Sequence, residues 1–231
     1  LKEHKKEMDK EAKKSYKARN RSRQWRLLLT GLFMNFGVLA VLKYTNFAIA
    51  NVNALLSLGG GQRQIGFVSL LLPLGISFYT FITMGYLIDV YRGKYPAETN
   101  PCRLALFVSF FPQLIQGPIN RFDEMKETLF AEHRWNWREI SLGLERILWG
   151  FFKKLVIADR ILTGVTTIIG DPETYDGIYV FVGMMFYALQ LYADFTGGID
   201  ITIGVAQTLG IRVRENFIRP YFSKNIAEYW R

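Results

Sequence analysis

Ile65-Gly-Phe-Val-Ser-Leu-Leu-Leu-Pro-Leu-Gly-Ile-Ser-Phe-Tyr-Thr-Phe-Ile-Thr-Met-Gly-Tyr-Leu-Ile88 runs for twenty-four residues without one charged side chain. As a helix, a stretch of that length and apolarity crosses the hydrocarbon core of a bilayer. It gives way to Asp89, Tyr91 and Arg92, groups suited to the head-group layer. Pro73 and Gly75 lie inside it and predict a kink, which membrane helices tolerate when neighbours satisfy the freed backbone groups. The run sets the fold class as all-α, a polytopic helical membrane protein with about four to five membrane-embedded segments.

Working upstream, Leu27–Leu42 is also free of charge. Its sixteen residues rise only about 24 Å, slightly short of the core. Lys43 extends the span by reaching toward the head groups, with Tyr44 at the interface. A signal peptide ranks below a true span, because no small-residue cleavage site follows. Residues 46–58 read as a separate surface helix, and Gly59–Gly61 as a turn. Residues 1–26 hold eleven Lys/Arg against four Asp/Glu, which is +7 of the net +9. This arm is expected in the cytoplasm, since basic flanks resist translocation. No base-reading motif accompanies it, so nucleic acid is not an expected partner.

Downstream, the loop 92–103 carries three basic residues and one acid, again a cytoplasmic signature. Two spans between two basic segments put residues 50–63 outside. Residues 104–120 contain Pro112, Pro118, Gln113, Gln116 and Gly117, and predict a broken, re-entrant or cavity-lining element. Residues 121–139 are polar and belong on the cytoplasmic surface, with Trp135 and Trp137 at head-group level. Residues 140–169 predict one long amphipathic helix on which Arg146, Lys153 and Arg160 recur every seven residues along one stripe. Their anionic partners are lipid phosphates, carboxylates on neighbouring helices or a phosphate-bearing donor in a polar tunnel. Ile178–Ile211 is apolar apart from Asp194 and Asp200, which flank Gly197 and Gly198. Acids at that depth face the protein interior, as structural ion pairs with Lys153 or Lys154 or as functional groups. The glycines let the helix bend or a partner approach.

One cysteine, Cys102, excludes an internal disulfide framework, and neither His4 nor His133 has a ligand cluster around it. No metal site and no bound cofactor are expected. The chain starts at Leu1 and stops at Arg231 inside an unfinished motif, so it reads as a fragment: a basic arm over 1–26 and a partial membrane domain over 27–231.

Several blocks resemble the membrane-bound O-acyltransferase (MBOAT) family. They are Ser77-Phe-Tyr-Thr-Phe81, Tyr86, Asp89-Val-Tyr-Arg-Gly93, Phe110-Phe-Pro-Gln-Leu-Ile-Gln-Gly-Pro-Ile119 and Lys153-Lys-Leu-Val-Ile-Ala-Asp159. Tyr187-Ala-Leu-Gln-Leu-Tyr-Ala-Asp-Phe-Thr-Gly-Gly-Ile-Asp200 follows, then Gly204, Gly210, Glu215-Asn-Phe217, Arg219-Pro-Tyr221 and Tyr229-Trp-Arg231. The blocks stand in the family's order from about residue 30 onward. They are most similar to the bacterial branch that holds alginate O-acetyltransferases and the D-alanyl transfer proteins of teichoic acid synthesis. The acid at Asp200 favours the polysaccharide O-acetylating pattern, whereas Thr196-Gly-Gly-Ile199 departs from the usual Ser-Gly-Tyr-Ser.

The resemblance implies a multi-pass plasma-membrane enzyme that moves an acyl group onto hydroxyls of an extracytoplasmic glycan. The acyl-CoA or acyl-carrier-protein donor would be a substrate rather than a cofactor, and the implied partners are membrane lipids, the glycan, a donor carrier and an extracytoplasmic acyltransferase. D-alanyl transfer to teichoic acid, a non-enzymatic membrane scaffold and a transporter are the alternatives. The resemblance places the catalytic histidines beyond Arg231, and His4 and His133 match no family motif. Supporting candidates are Asp194 and Asp200, to shape the polar interior or to orient the histidines, and Gln113, Gln116 and Asn216, to donate hydrogen bonds inside the tunnel. Arg121, Lys153 and Lys154 are candidates to meet the donor's anionic end.

Overall fold

The structure, a computed structural model, describes residues 10–58, 64–171, 173–215 and 220–229, with side chains from residue 19. All regular structure among the described residues is helical, in two compact units, Leu1–Pro101 and Cys102–Arg231.

In the first unit, α1 is one helix, Lys10–Leu58, about 73 Å long by its 49 residues. This corrects the expectation of a span ending at Leu42 and a separate surface helix over 46–58. Nothing between Lys43 and Asn46 breaks a helix, because Thr45 returns its hydroxyl to Val41 O and stays within the helix. The turn expected at Gly59–Gly61 lies outside the described residues. Helix α2, Ile76–Arg92, packs antiparallel on α1, with Gly31 against Leu87 and Trp25 against Tyr91 at 5.6 Å between rings.

The stretch 65–88 is the larger correction, since only its second half is helical. Residues 64–73 are extended, and the chain turns at Leu74-Gly75 to enter α2. Pro73 forces the residue before it out of helical geometry, and Gly75 takes φ 76°, a left-handed turn open to glycine. Two asparagines of α1 hold the extended part. Asn46 donates to Val68 O and accepts from Val68 N–H, both at 2.9 Å. Asn53 does the same to Ile65, at 2.9 and 2.7 Å. Seven helical residues advance about 10.5 Å, and three extended residues advance about 10 Å, so the spacings match. A flat strand would turn alternate residues to opposite sides. Residues 65 and 68 both face α1, so this segment winds with a period of three, as polyproline chains do. Polar positions that read as a water-facing helix surface are thus the backbone partners of a non-helical segment.

This clamp gives a direct prediction. Asn46→Leu or Asn53→Leu is expected to cost about 1–3 kcal/mol, since two backbone groups lose their partners together. Asn35→Leu should cost less, because its amide only returns to Gly31 O on the same helix. Thermal melting of the detergent-purified protein compares the three, and equal shifts would contradict the clamp.

The motif Asp89–Gly93 closes α2. Gly93 caps the helix at φ 75°, its N–H donates to Val90 O, and Lys94 pairs with the Asp89 carboxylate at 2.8 Å. Tyr86 accepts the N–H of Glu98 and steadies the loop that follows.

In the second unit, the 104–120 region is broken as its prolines require, into α3 (Pro101–Val108) and the single turn α4 (Gln113–Gln116). Helix α5 is Phe122–Leu129. The long helix expected over 140–169 runs from Trp137 to Gly170, capped by the Asn136 side chain. It is not uniform: α6 (Trp137–Phe151) passes into a π-helical segment, Phe152–Ala158, before α7 (Asp159–Gly170). The wider π turns shift the phase of the helix, so the seven-residue stripe ends at Lys153 and Arg160 is exposed. Helix α8, Ile178–Thr208, lies antiparallel to this rod, and Gly197-Gly198 does not interrupt it. Gly210, at φ 75°, closes α8, and the His133 ring lies against it. Helices α1 and α8 are long and apolar enough to cross a membrane, and most of their large apolar side chains are exposed, as lipid-facing residues would be. A one-turn 3-10 helix (Pro220–Phe222) and α9 (Ile226–Tyr229) complete the described chain.

Candidate functional site: the seam between α6 and α8

Four glycines set the geometry. Gly143 faces Gly204 and Gly150 faces Gly197, each pair reciprocally. A Cβ on Gly143 would stand 2.7 Å from Gly204 O, and one on Gly204 would stand 2.7 Å from Gly143 O. At Gly150 and Gly197 the corresponding distances are 2.6 and 2.9 Å. Real side chains do not fit there, so the two backbones are in direct contact, as small residues permit in membrane helix pairs.

Between the glycines stand polar side chains, whose reach is short because the backbones are close. Gln207 donates to Glu139 at 3.1 Å. Arg146 donates from Nε and Nη2 to one oxygen of Asp200, at 3.0 and 2.9 Å. It also forks onto both oxygens of Glu215, at 2.5 and 2.7 Å. Lys153 donates to the other Asp200 oxygen, and Lys154 to Asp194. Down the seam, polar pairs and glycine pairs therefore alternate. Among the described residues, the ion pairs of the seam join three cations to three carboxylates.

From the π segment two consecutive lysines both reach α8. In an α-helix, neighbours diverge by about 100°. In the π segment both ammonium groups find acids that lie six residues apart on one helix. Side chains of Lys153 and Asp200 are each 14% exposed, while Lys154 and Asp194 are more than twice as open. The Asp200 pairs are thus the ones held away from water.

The broken loop packs on another face of α8, more than about 100° round the helix from the glycines. The Thr202 hydroxyl lies 3.1 Å from Pro112 O and 2.8 Å from Gln116 O, so its one proton is shared between the two ends of the short α4, where the Gln116 carbonyl has no intrahelical partner. Gln116 lies where a side chain at Gly198 would be, with a Cβ falling 2.3 Å from its Oε1, and its amide reaches Phe195 O at 3.4 Å. Gln113 is fully buried, donating to Phe107 O and accepting from Asn120.

The structure therefore brings Asp194, Asp200, Lys153 and Lys154 together in the seam, while Gln113 and Gln116 belong to the loop packed on another side of α8. Arg121 is the exposed residue that precedes α5, and Asn216 lies outside the described residues. Arg146 stands in the seven-residue stripe and Glu215 in a block of the resemblance, but neither they nor Asn120 and Thr202 are among the site candidates that the sequence offers. A usable signal was present: Gly143 and Gly150, seven apart, interleave with Arg146 and Lys153, seven apart, as two edges of one helix seam. Beyond the seam, Tyr221 donates its hydroxyl to Ala188 O of α8, and burial, then Tyr229 and Tyr192, pushes its phenol above the ordinary value.

No family model matches the chain. Curated proteins do. The chain is 38% identical over 208 residues to a probable alginate O-acetylase of Pseudomonas putida, covering 89% of the chain and 42% of that protein. It is 33% identical to a peptidoglycan O-acetyltransferase of Helicobacter pylori over 88% of the chain and 43% of the relative. It is 32% identical to a teichoic acid D-alanyltransferase of Bacillus subtilis over 68% of the chain and 40% of the relative. The chain spans about two fifths of the length of the curated relatives it matches. Lys153–Asp159 and Tyr187–Asp200, the broken Phe110–Ile119 loop and the Asp89–Gly93 cap are among the blocks that carry the resemblance, and with these homologues the chain belongs to the membrane-bound O-acyltransferase family.

Proposed function

We propose that this chain is part of a multi-pass plasma-membrane O-acyltransferase that transfers an acetyl group to hydroxyls of an extracytoplasmic or cell-wall polysaccharide. The observation that carries the reading is the alginate O-acetylase match, which is closer and longer than the D-alanyltransferase match. The paired acid at Asp200, locked between Arg146 and Lys153, is the structural counterpart of the position that favoured the O-acetylating pattern.

Acyl transfer to a hydroxyl needs a donor thioester or similar carrier, a base for the hydroxyl proton and a polar route through the membrane. The seam's lysines are hydrogen-bonded ammonium donors to carboxylates, so they are not that base. Their role is to keep a rigid polar face inside an apolar helix bundle. An acyl-CoA or an acyl-carrier protein would supply the group, with lipids and the glycan as further partners.

The test is to express the complete protein in a host lacking its own glycan O-acetyltransferase and to analyse esters released by mild base. Acetate is expected. Release of D-alanine would move the assignment to the teichoic acid reading, and no ester at normal abundance would overturn both. Within that assay, Asp194→Leu should lower acylation roughly tenfold or more, as small displacements near a site do, while membrane abundance holds. Undiminished acylation would remove Asp194 from the site.

The multi-pass reading places residues 1–26 and 92–103 in the cytoplasm. In a Cys102→Ser background, a cysteine at Ala97 should escape an impermeant maleimide in intact cells and react after permeabilisation. Labelling of intact cells would reverse the topology.

A further inference from the structure

Residues 210–215 leave α8 as an extended strap, and three different elements hold it. The N–H of Arg212 donates to Thr128 Oγ1 of α5 at 3.1 Å. Two residues on, the N–H of Arg214 donates to Asn120 Oδ1 at 2.8 Å, and the Arg214 guanidinium reaches Glu124 at 3.4 Å. Arg146 of α6 then takes the Glu215 carboxylate in a two-point fork. Alternate backbone groups bonding to one side are what an extended chain offers.

Asn120 is the hub of this arrangement. It is 4% exposed, and its amide is used on both sides. Its NH₂ donates to Gln113 Oε1 at 3.0 Å and Pro118 O at 3.2 Å, while its oxygen receives the strap. The broken loop that Thr202 fixes to α8 is therefore joined through one side chain to the strap that Arg146 fixes to the seam. Neither Asn120 nor Arg146 was required by the acyl-transfer reading. Both lie on the path linking the loop, the strap and Asp200.

We propose that Asn120 and Arg146 are positioning residues of the acyltransferase, acting jointly through the 210–215 strap to hold Glu215 against the Asp200 cluster. The proposal rests on the acyl-transfer reading. Arg146 serves two acids at once, so loosening the strap changes how Asp200 is held. Asn120 makes the strap's position depend on the loop carrying Gln113 and Gln116. Positioning of this kind acts on turnover more than on substrate affinity.

The test compares Asn120→Ala, Arg146→Gln and the double variant in the complete membrane protein, with two readouts. The first is the acyl-transfer assay, resolved into kcat and KM. The second is the maleimide labelling rate of a cysteine at the half-buried Val213, in a Cys102→Ser background. Each single variant should lower kcat roughly tenfold or more with KM nearly unchanged, and each should speed labelling. Because both act on one strap, the double variant should fall little further than the weaker single. Losses that multiply, or labelling that does not change, would overturn the proposal. If Asn120→Ala fails to accumulate, Thr128→Val removes a tether at a partly exposed site without changing volume. It should speed labelling and lower kcat by a smaller factor, and no change in either would count against the strap. If the unaltered protein forms no ester, the acyl-transfer reading fails, while the labelling comparison still decides whether these residues hold the strap.

Discussion

Replacing Gly150 by leucine is expected to leave little or no folded protein in the membrane, and the reason is the absence of anything that can move. A Cβ there would lie 2.6 Å from Gly197 O, 2.7 Å from Ile201 Cγ1 and 2.9 Å from Ile201 N. Two of the three obstacles are backbone atoms in the middle of a 31-residue helix. Overpacking a core ordinarily costs about 1–3 kcal/mol, and more when the neighbours cannot relax. The seam would have to open, and with it every polar pair along its length. Gly164→Leu is the control, because a Cβ at that α7 position meets nothing within 4 Å. That variant should match the parent or exceed it slightly, since leucine favours helix over glycine. Size-exclusion profiles and melting of detergent-purified protein would compare the two, and equal behaviour would show that the seam is not the close contact described.

The second large effect is expected at Asp200. Asp200→Leu removes one side chain that two cations, Arg146 and Lys153, share in a site that is mostly closed to water. Breaking a buried pair by deleting one partner costs about 3–5 kcal/mol, because the remaining charge has no solvent to turn to. Arg146 retains Glu215, so Lys153 should be the greater liability. Lys153→Met added to Asp200→Leu should then recover a substantial part of the stability, although not the activity. A double variant no more stable than Asp200→Leu alone would place the cost elsewhere. Asp194, about a third exposed, should tolerate the same exchange with a smaller loss of stability.

Much of the helical fold was legible, because apolar length and the spacing of charges are direct consequences of a bilayer. The α8 run, the broken 104–120 region and the rod from Trp137 to Gly170 all follow from that physics. The extended half of 65–88 was not legible. Apolarity states where a segment lies but not which backbone geometry it adopts there, and the partners that permit an extended chain are two asparagines on another helix. They could be read only as polar residues until the pairing was seen. The π segment was hidden for a similar reason, since no residue type demands it. It is fixed by acids forty or more residues away. The candidate site was half legible: the acids and lysines stood out as costly charges, whereas Asn120 and Thr202 look ordinary until the loop they fasten is in place.

The alternation of glycine and charge along α6 and α8 also bears on how the two helices find each other. Glycines alone would fit more than one alignment. If α6 slid by one heptad, about 10 Å, Gly143 could lie on Gly197, or in the other direction Gly150 on Gly204. Each slip keeps one glycine pair of the two, so the glycines alone leave a partial degeneracy. The charges break this degeneracy. In the first slip Arg146 comes near Asp194, but Lys153 and Lys154 move to the level of Tyr187 and Asp200 to that of Ile140. In the second, Lys154 comes near Asp200 while Arg146 loses its acid to Thr208. Each error strands charges in an apolar bundle, and only one register satisfies glycines and charges together. The ionic residues of this seam then act as a vernier: closeness is set by the glycines, and the charges sharpen the choice among the alignments that keep a glycine pair.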